Sequence, residues 1–119
     1  MNGKRKKFGI GLEYALNGLK EAFMRERNFR IHLFVTVLVI AFSFYVKLSA
    51  IEWSLILIMI QTVLIAELVN SLMERIIDYI KPEYHIQAKI IKDVAAAVVL
   101  IAAIFSVIVG LIVFIPKIF

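Results

Sequence analysis

Three apolar runs separated by polar stretches dominate the chain. Ile31 to Val46 carries no formal charge apart from the titratable His32, and Lys47 interrupts it before Leu48–Ile51. Trp53 to Ala66 is free of charge, with Gln61 and Thr62 inside it. Val94 to Ile115 extends for 22 residues with only Ser106 and Gly110 as soft positions. A spanning helix needs about 20 mostly apolar residues, within a range of about 17–25. The third run meets that length alone, and the first two meet it with their flanks. None of them alternates with a period of two, and lipid admits only helices or closed barrels as spanning structures. The pattern predicts three transmembrane helices over 31–50, 52–70 and 94–115.

The segment before the first run, Phe8 to Arg30, is too polar to cross a bilayer. Leu12, Leu16, Leu19 and Phe23 recur at spacings of four, three and four, which is one face of a helix. Glu13, Asn17, Lys20 and Glu21 fall on its other faces. An amphipathic surface helix over 8–30 is expected, with Asn28 breaking or capping it where the chain turns into the membrane. Between the second and third runs, residues 71–93 read as an extension of the second helix through Ile80 followed by a loop at Lys81-Pro82-Glu83. Pro82 and Pro116 should mark helix ends, because the residue before a proline disfavours helical backbone. The expected fold is an all-α integral membrane protein, one embedded domain over 1–119.

Composition narrows the classes further. Of 119 residues 62% are hydrophobic and the mean hydropathy is +0.92, against about 45–50% apolar residues in an ordinary soluble domain. A soluble fold of this size has too little interior for that much apolar surface, so a soluble enzyme and a disordered chain are both excluded. With no cysteine there is no disulfide framework, thiolate metal site or cysteine nucleophile. A secretory signal fits the first run poorly, since no small-x-small cleavage pattern follows it.

Fourteen Lys and Arg against nine Asp and Glu give a net charge of +5. Lys4, Arg5, Lys6, Lys7, Lys20, Arg25, Arg27 and Arg30 precede the first run, and Arg75, Lys81, Lys89 and Lys92 lie between the second and third. Only Lys47 and Lys117 fall on the opposite side. The positive-inside rule then puts the N-terminus in the cytoplasm. Basic clusters beside spans suit anionic lipid, so the expected partner is membrane lipid, with no nucleic acid.

Eight of the nine acidic residues, all but Glu52, fall in the cytoplasmic half. Glu67, Asn70, Ser71, Glu74 and Asp78 stand at offsets 0, 3, 4, 7 and 11, a single stripe along a helix. Glu67 follows fourteen apolar or uncharged residues and sits at the inner edge of the bilayer. A carboxylate there is costly and marks a site unless it merely pairs with a basic neighbour or reaches the headgroups. Carboxylates facing a basic layer suit a hard divalent cation such as Mg²⁺, held jointly with nucleotide phosphates. No G-x-x-x-x-G-K-S/T phosphate loop occurs, nor a kinase-type glycine loop or H-R-D box. Any nucleotide chemistry would be built on helices. His32, at the start of a span, reads as an interfacial anchor or lipid contact. Trp53 and Tyr45 read as aromatic-belt residues.

The stretch Glu67-Leu-Val-Asn70-Ser71-Leu-Met-Glu74 followed by Asp78 resembles the E-x-x-N-S/T-x-x-E-x-x-x-D signature of the prokaryotic diacylglycerol kinase family. Glu83-Tyr84-His85 and Lys92-Asp93 with Ala95–Ala97 match its second block. Tyr14, Gly18-Leu19 and Glu26-Arg27-Asn28-Phe29 match its first. The resemblance covers nearly the whole chain. It implies a small homotrimeric membrane kinase, with three spans and a surface helix, whose active sites are shared between neighbouring subunits at the cytoplasmic face of a bacterial cell membrane. Glu26–His32, Ile51-Glu52-Trp53 and Phe114–Lys117 look like the branch that phosphorylates undecaprenol, giving undecaprenyl phosphate for cell-envelope synthesis. The other branch phosphorylates diacylglycerol to phosphatidic acid. Ser71-Leu72-Met73 stands where the undecaprenol branch usually has Thr-Ala-Ile.

Carried over residue by residue, the resemblance implies ATP as co-substrate and Mg²⁺ as cofactor. Glu67 matches the general base, and Glu26 and Glu74 match the metal-binding carboxylates. Tyr14, Glu26, Glu74, Asp78, Glu83, His85, Lys92 and Asp93 match the ATP-binding set, with Lys92 as a cation on the phosphates. Asn70 lines the substrate pocket with Glu67. Two other classes compete with the kinase: a small transporter using Glu67 as an exchangeable carboxylate, and a non-enzymatic assembly subunit. The first leaves Glu74, Asp78, Glu83, Lys92 and Asp93 without a role, and the second leaves all of them without one.

Overall fold

The computed structural model describes residues 7–119, without the side chains of Lys7, Phe8 and Ile10. Lys4, Arg5 and Lys6 of the basic opening lie outside the described residues. Four helices follow in order: α1 (Lys7–Arg25), α2 (Arg27–Tyr45), α3 (Ala50–Ile80) and α4 (Ile86–Ile118). The described residues contain no strand. The last three helices are long and apolar enough to cross a membrane. The molecule measures 51 × 44 × 20 Å, and the long axis is what a 33-residue helix of about 1.5 Å rise per residue requires.

The exposed area also departs from that of a soluble protein. The chain presents 8996 Å², whereas a water-soluble monomer of 13.6 kDa presents about 6,600 Å². Much of the excess is apolar: Phe34, Phe44, Leu100, Val107 and Ile112 are all well exposed. Four of the eight buried apolar residues are alanines. Ala66, Ala95 and Ala102 are buried on the long helices α3 and α4. Small residues of this kind let helix backbones approach closely in lipid, where no hydrophobic drive joins them.

The bundle is closed most firmly at the end opposite the acidic stripe. Leu48, Ile56 and Val113 are buried there with Val39, Trp53, Val109 and Phe114 packed around them. Phe42 meets Phe114 at 5.2 Å and Phe44 meets Trp53 edge-on at 4.8 Å. Between α2 and α3 the chain reverses in four residues. Lys47 takes a left-handed conformation, φ 58°, and the Leu48 and Lys47 amides donate back to the Ser43 and Phe44 carbonyls. This is the usual glycine-ended helix stop built on a lysine. Ser49 then opens α3 with a reciprocal cap: its side chain accepts from the Glu52 amide, and Glu52 accepts from the Ser49 amide. The same Glu52 carboxylate holds Lys117 of α4 at 2.9 Å. Ser49→Ala is expected to destabilise the fold by about 1 kcal/mol through loss of the cap, seen as a lower unfolding midpoint in detergent micelles.

The structure corrects several expected boundaries. The break before the first span falls at Glu26, where φ −108° and ψ 105° interrupt the helix, and Asn28 lies inside α2. The Arg30 guanidinium fixes that break by donating to the Phe23 and Met24 carbonyls at 2.8 and 3.2 Å, which the end of α1 would otherwise leave unpaired. The helix that carries the first apolar run therefore starts at Arg27. The loop expected at Lys81-Pro82-Glu83 runs on to His85, and the helix that carries the third apolar run begins at Ile86. His85 caps it, its Nδ1 accepting from the Gln87 amide, and Lys89 and Asp93 pair one turn apart at 2.6 Å. Pro116 does not end α4, which continues to Ile118. In the last turn the missing proline N–H removes a single bond, so little opposes the continuation. The extension of the second span through Ile80 is present as expected.

Candidate active site

Helix α3 carries the acidic stripe, and its upper part is withdrawn from solvent. Glu67, Asn70 and Ser71 are buried, Glu67 with 3% of its surface exposed. A carboxylate does not leave water without partners. His32 of α2 supplies one, with Nε2 3.7 Å from Glu67 Oε2. The other charges acting on Glu67 are those of Glu74 and Glu26. Three carboxylates and one imidazole thus share this end of the bundle. His32, read from the sequence as an interfacial anchor or lipid contact, also stands against the buried carboxylate.

One turn along α3, Asn70 Nδ2 donates to Glu74 Oε1 across a long 3.4 Å. Asn70 Oδ1 is buried with no partner among the described residues. A buried oxygen left unpaired costs about 1–3 kcal/mol, so this atom is short of an electropositive partner. Glu26 reaches the site from the break between α1 and α2. Its Oε1 accepts from Arg75 Nε at 3.1 Å, while Arg75 Nη1 reaches Glu21 Oε2 at 3.1 Å. Arg75 therefore ties α1 and the break to α3. A cleft of about 560 Å³ opens there, with Gly18, Glu21, Glu26, Ser71 and Arg75 on its walls.

The remaining expected residues lie farther out. Asp78, about 16 Å along α3 from Glu67 by helix rise, pairs with Lys92 of α4. Lys89 holds Asp93, and Lys81 holds Glu83 at 3.4 Å. His85 is occupied as the cap of α4. Tyr14 stands half exposed on α1. The structure thus brings Glu67, Asn70, Glu74 and Glu26 together. It sets Asp78 and Lys92 as a separate pair across α3 and α4, and leaves Glu83 and His85 in the connection between them. Sequence reasoning missed Glu21 and Arg75 as partners of this end. Their contacts join positions 49 and 54 residues apart, and no local pattern signals them.

The oxygens gathered here suit a hard cation. Glu26, Glu74 and the unpaired Asn70 amide oxygen are the donor types Mg²⁺ takes, and a Mg–nucleotide brings its remaining ligands as phosphate and water. Among the described residues no three His, Asp or Glu side chains form a self-sufficient metal cage.

A second feature lies along part of the spans. A groove of about 520 Å³ lies among α2, α3 and α4, with Val39, Phe42, Ile60 and Gly110 along it and His32 at the stripe end. Its other polar side chains are Thr36 and Ser106, and the Thr36 hydroxyl is already donated to the His32 carbonyl at 2.8 Å.

Comparison with known proteins adds to this geometry. The family model for prokaryotic diacylglycerol kinase matches residues 13–114. The chain is 38% identical over 104 residues to the undecaprenol kinase of Bacillus subtilis (strain 168), covering 87% of this chain and 85% of that one. It is 42% identical over 102 residues to a diacylglycerol kinase of Synechocystis, covering 85% of this chain and 58% of the relative. To the diacylglycerol kinase of Escherichia coli K12 it is 34% identical over 95 residues, covering 80% of this chain and 78% of that one.

Proposed function

The chain belongs to the prokaryotic diacylglycerol kinase family and is a lipid kinase, and from that premise we propose that it transfers the γ-phosphate of ATP to the terminal hydroxyl of undecaprenol at the cytoplasmic face of a bacterial membrane. The observation that carries the reading is the buried Glu67, held by His32 and flanked by Glu74 and Glu26. The acceptor assignment draws on the Bacillus subtilis relative and on the groove. A polyprenol has no ester carbonyls, so it suits a wall with few free donors; donors left unpaired by such a ligand would carry a desolvation penalty. Diacylglycerol is the second reading, favoured by the other relatives' names.

In this mechanism Glu67 accepts the proton of the lipid hydroxyl. The lipid oxygen forms its bond to the γ-phosphorus while the bond to the β–γ bridging oxygen breaks, and ADP leaves. Glu26 and Glu74 would be the residues to hold Mg²⁺, which when bound would offset the charge of the phosphates. Lys92 meets the phosphates once it exchanges Asp78 for them. Tyr14, Asp78, Glu83, His85 and Asp93 complete the nucleotide site, which in a homotrimer draws on a neighbouring subunit. That sharing accounts for the spread of these residues within one chain. The exposed Leu12, Leu16, Leu19 and Phe23 of α1 give that helix a face to lay on the membrane.

The test is direct. Vesicles holding the protein receive γ-labelled ATP with Mg²⁺ and either undecaprenol or diacylglycerol at equal surface concentration. Faster labelling of undecaprenol is expected. Faster labelling of diacylglycerol would reverse the acceptor and leave the kinase in place.

A further inference from the structure

His32 both lines the groove and stands against the buried carboxylate. Helix α2 starts at Arg27, which places His32 in its second turn. It lines the groove on one side and stands 3.7 Å from Glu67 on the other, three-quarters shielded from solvent. Nearby basic groups are committed elsewhere: Arg75 to Glu21 and Glu26, and Lys92 to Asp78. Among the described residues His32 is the one basic side chain in an ion pair with Glu67. Glu26 and Glu74 act on the same carboxylate with the opposite sign, so among the described residues His32 is the group that offsets them.

We infer that His32 is a positioning residue for phosphate transfer: its Nε2–H holds Glu67 Oε2, which turns Oε1 toward the acceptor, and its ring forms the end wall against which the lipid's terminal hydroxyl stops. The inference rests on the lipid-alcohol acceptor proposed above. Turnover leaves the ring chemically unchanged, since the hydroxyl proton goes to Glu67. The separation of 3.7 Å is longer than a hydrogen bond, as is common for catalytic contacts before substrate closes them. The Thr36 hydroxyl, bonded to the His32 carbonyl, stiffens the turn of α2 that carries the ring.

The experiment compares wild type, His32→Leu, His32→Gln, Glu67→Gln and the His32→Leu/Glu67→Gln double variant in vesicles with undecaprenol and Mg-ATP. A lost orientation at the reacting group costs about tenfold to a hundredfold, and that fall in kcat is expected for His32→Leu, with the KM for ATP within twofold of wild type. His32→Gln, which keeps an N–H donor at similar reach, should recover most of the rate. In the Glu67→Gln background His32→Leu should add nothing, because both act through one group. Unchanged kcat in His32→Leu, no rescue by glutamine, or multiplicative losses in the double variant would each overturn the inference while the kinase reading stood. A wild type that labels diacylglycerol and no polyprenol would instead remove the acceptor reading, and the end-wall role with it.

Discussion

Glu67→Gln is expected to fold, to bind Mg-nucleotide with near-normal affinity, and to transfer phosphate at least about a hundredfold more slowly. That loss sits at the low end of the 10²–10⁴ range for a general base. The amide keeps the shape of the side chain and can still bond to His32, so the packing around position 67 has no reason to fail. It cannot take a proton from the acceptor. Measuring kcat beside nucleotide binding by fluorescence or calorimetry separates the two effects. Near-normal turnover would leave Glu67 as a buried partner of His32 and nothing more.

The second large effect concerns the metal. Glu74→Ala should raise the Mg²⁺ concentration for half-maximal activity at least about tenfold, since it removes a hard oxygen and a compensating charge from the site. The same shift should appear in Mn²⁺ binding followed by electron paramagnetic resonance, which does not depend on turnover. Glu74 is a cleaner probe than Glu26. Among the described residues it accepts the long bond from Asn70, whereas Glu26 also anchors Arg75 at the break between α1 and α2. Glu26→Ala should therefore raise the Mg²⁺ requirement and also lower the unfolding midpoint. An unchanged metal titration in Glu74→Ala would make that carboxylate an ordinary helix-surface residue.

What the sequence discloses and what it hides divide along a physical line. The apolar runs locate the three long helices because lipid leaves the backbone no other solution. The five-residue stripe from Glu67 to Asp78 shows that α3 continues past its apolar part, since its spacing is that of one helix face. Features set by contacts between distant positions are not legible in the same way. The break at Glu26 depends on Arg30 reaching back to the carbonyls of α1 and on Arg75 arriving from α3. The apolar pattern does not show residues 86–93 as continuous with the third run, because Lys89, Lys92 and Asp93 interrupt it. Once paired along α4 and across to Asp78, those charges no longer oppose a helix. The turn at Lys47 lacks the glycine that would announce it. His32 escaped for the same reason as Arg75. A lone histidine at the head of an apolar run has an ordinary interfacial reading, and only its contact with a carboxylate 35 positions away changes that.

The central claim is that the lipid hydroxyl meets the chain at Glu67, with its tail in the groove of α2, α3 and α4. A polyprenol carrying a diazirine on the isoprene unit next to its alcohol tests this most directly, after irradiation in vesicles and mapping of the adducts by mass spectrometry. The account predicts adducts on the segments containing His32 and Glu67–Asn70, lost when excess undecaprenol is present. Adducts confined to the opposite end of the bundle, around Trp53 and Lys117, would contradict it.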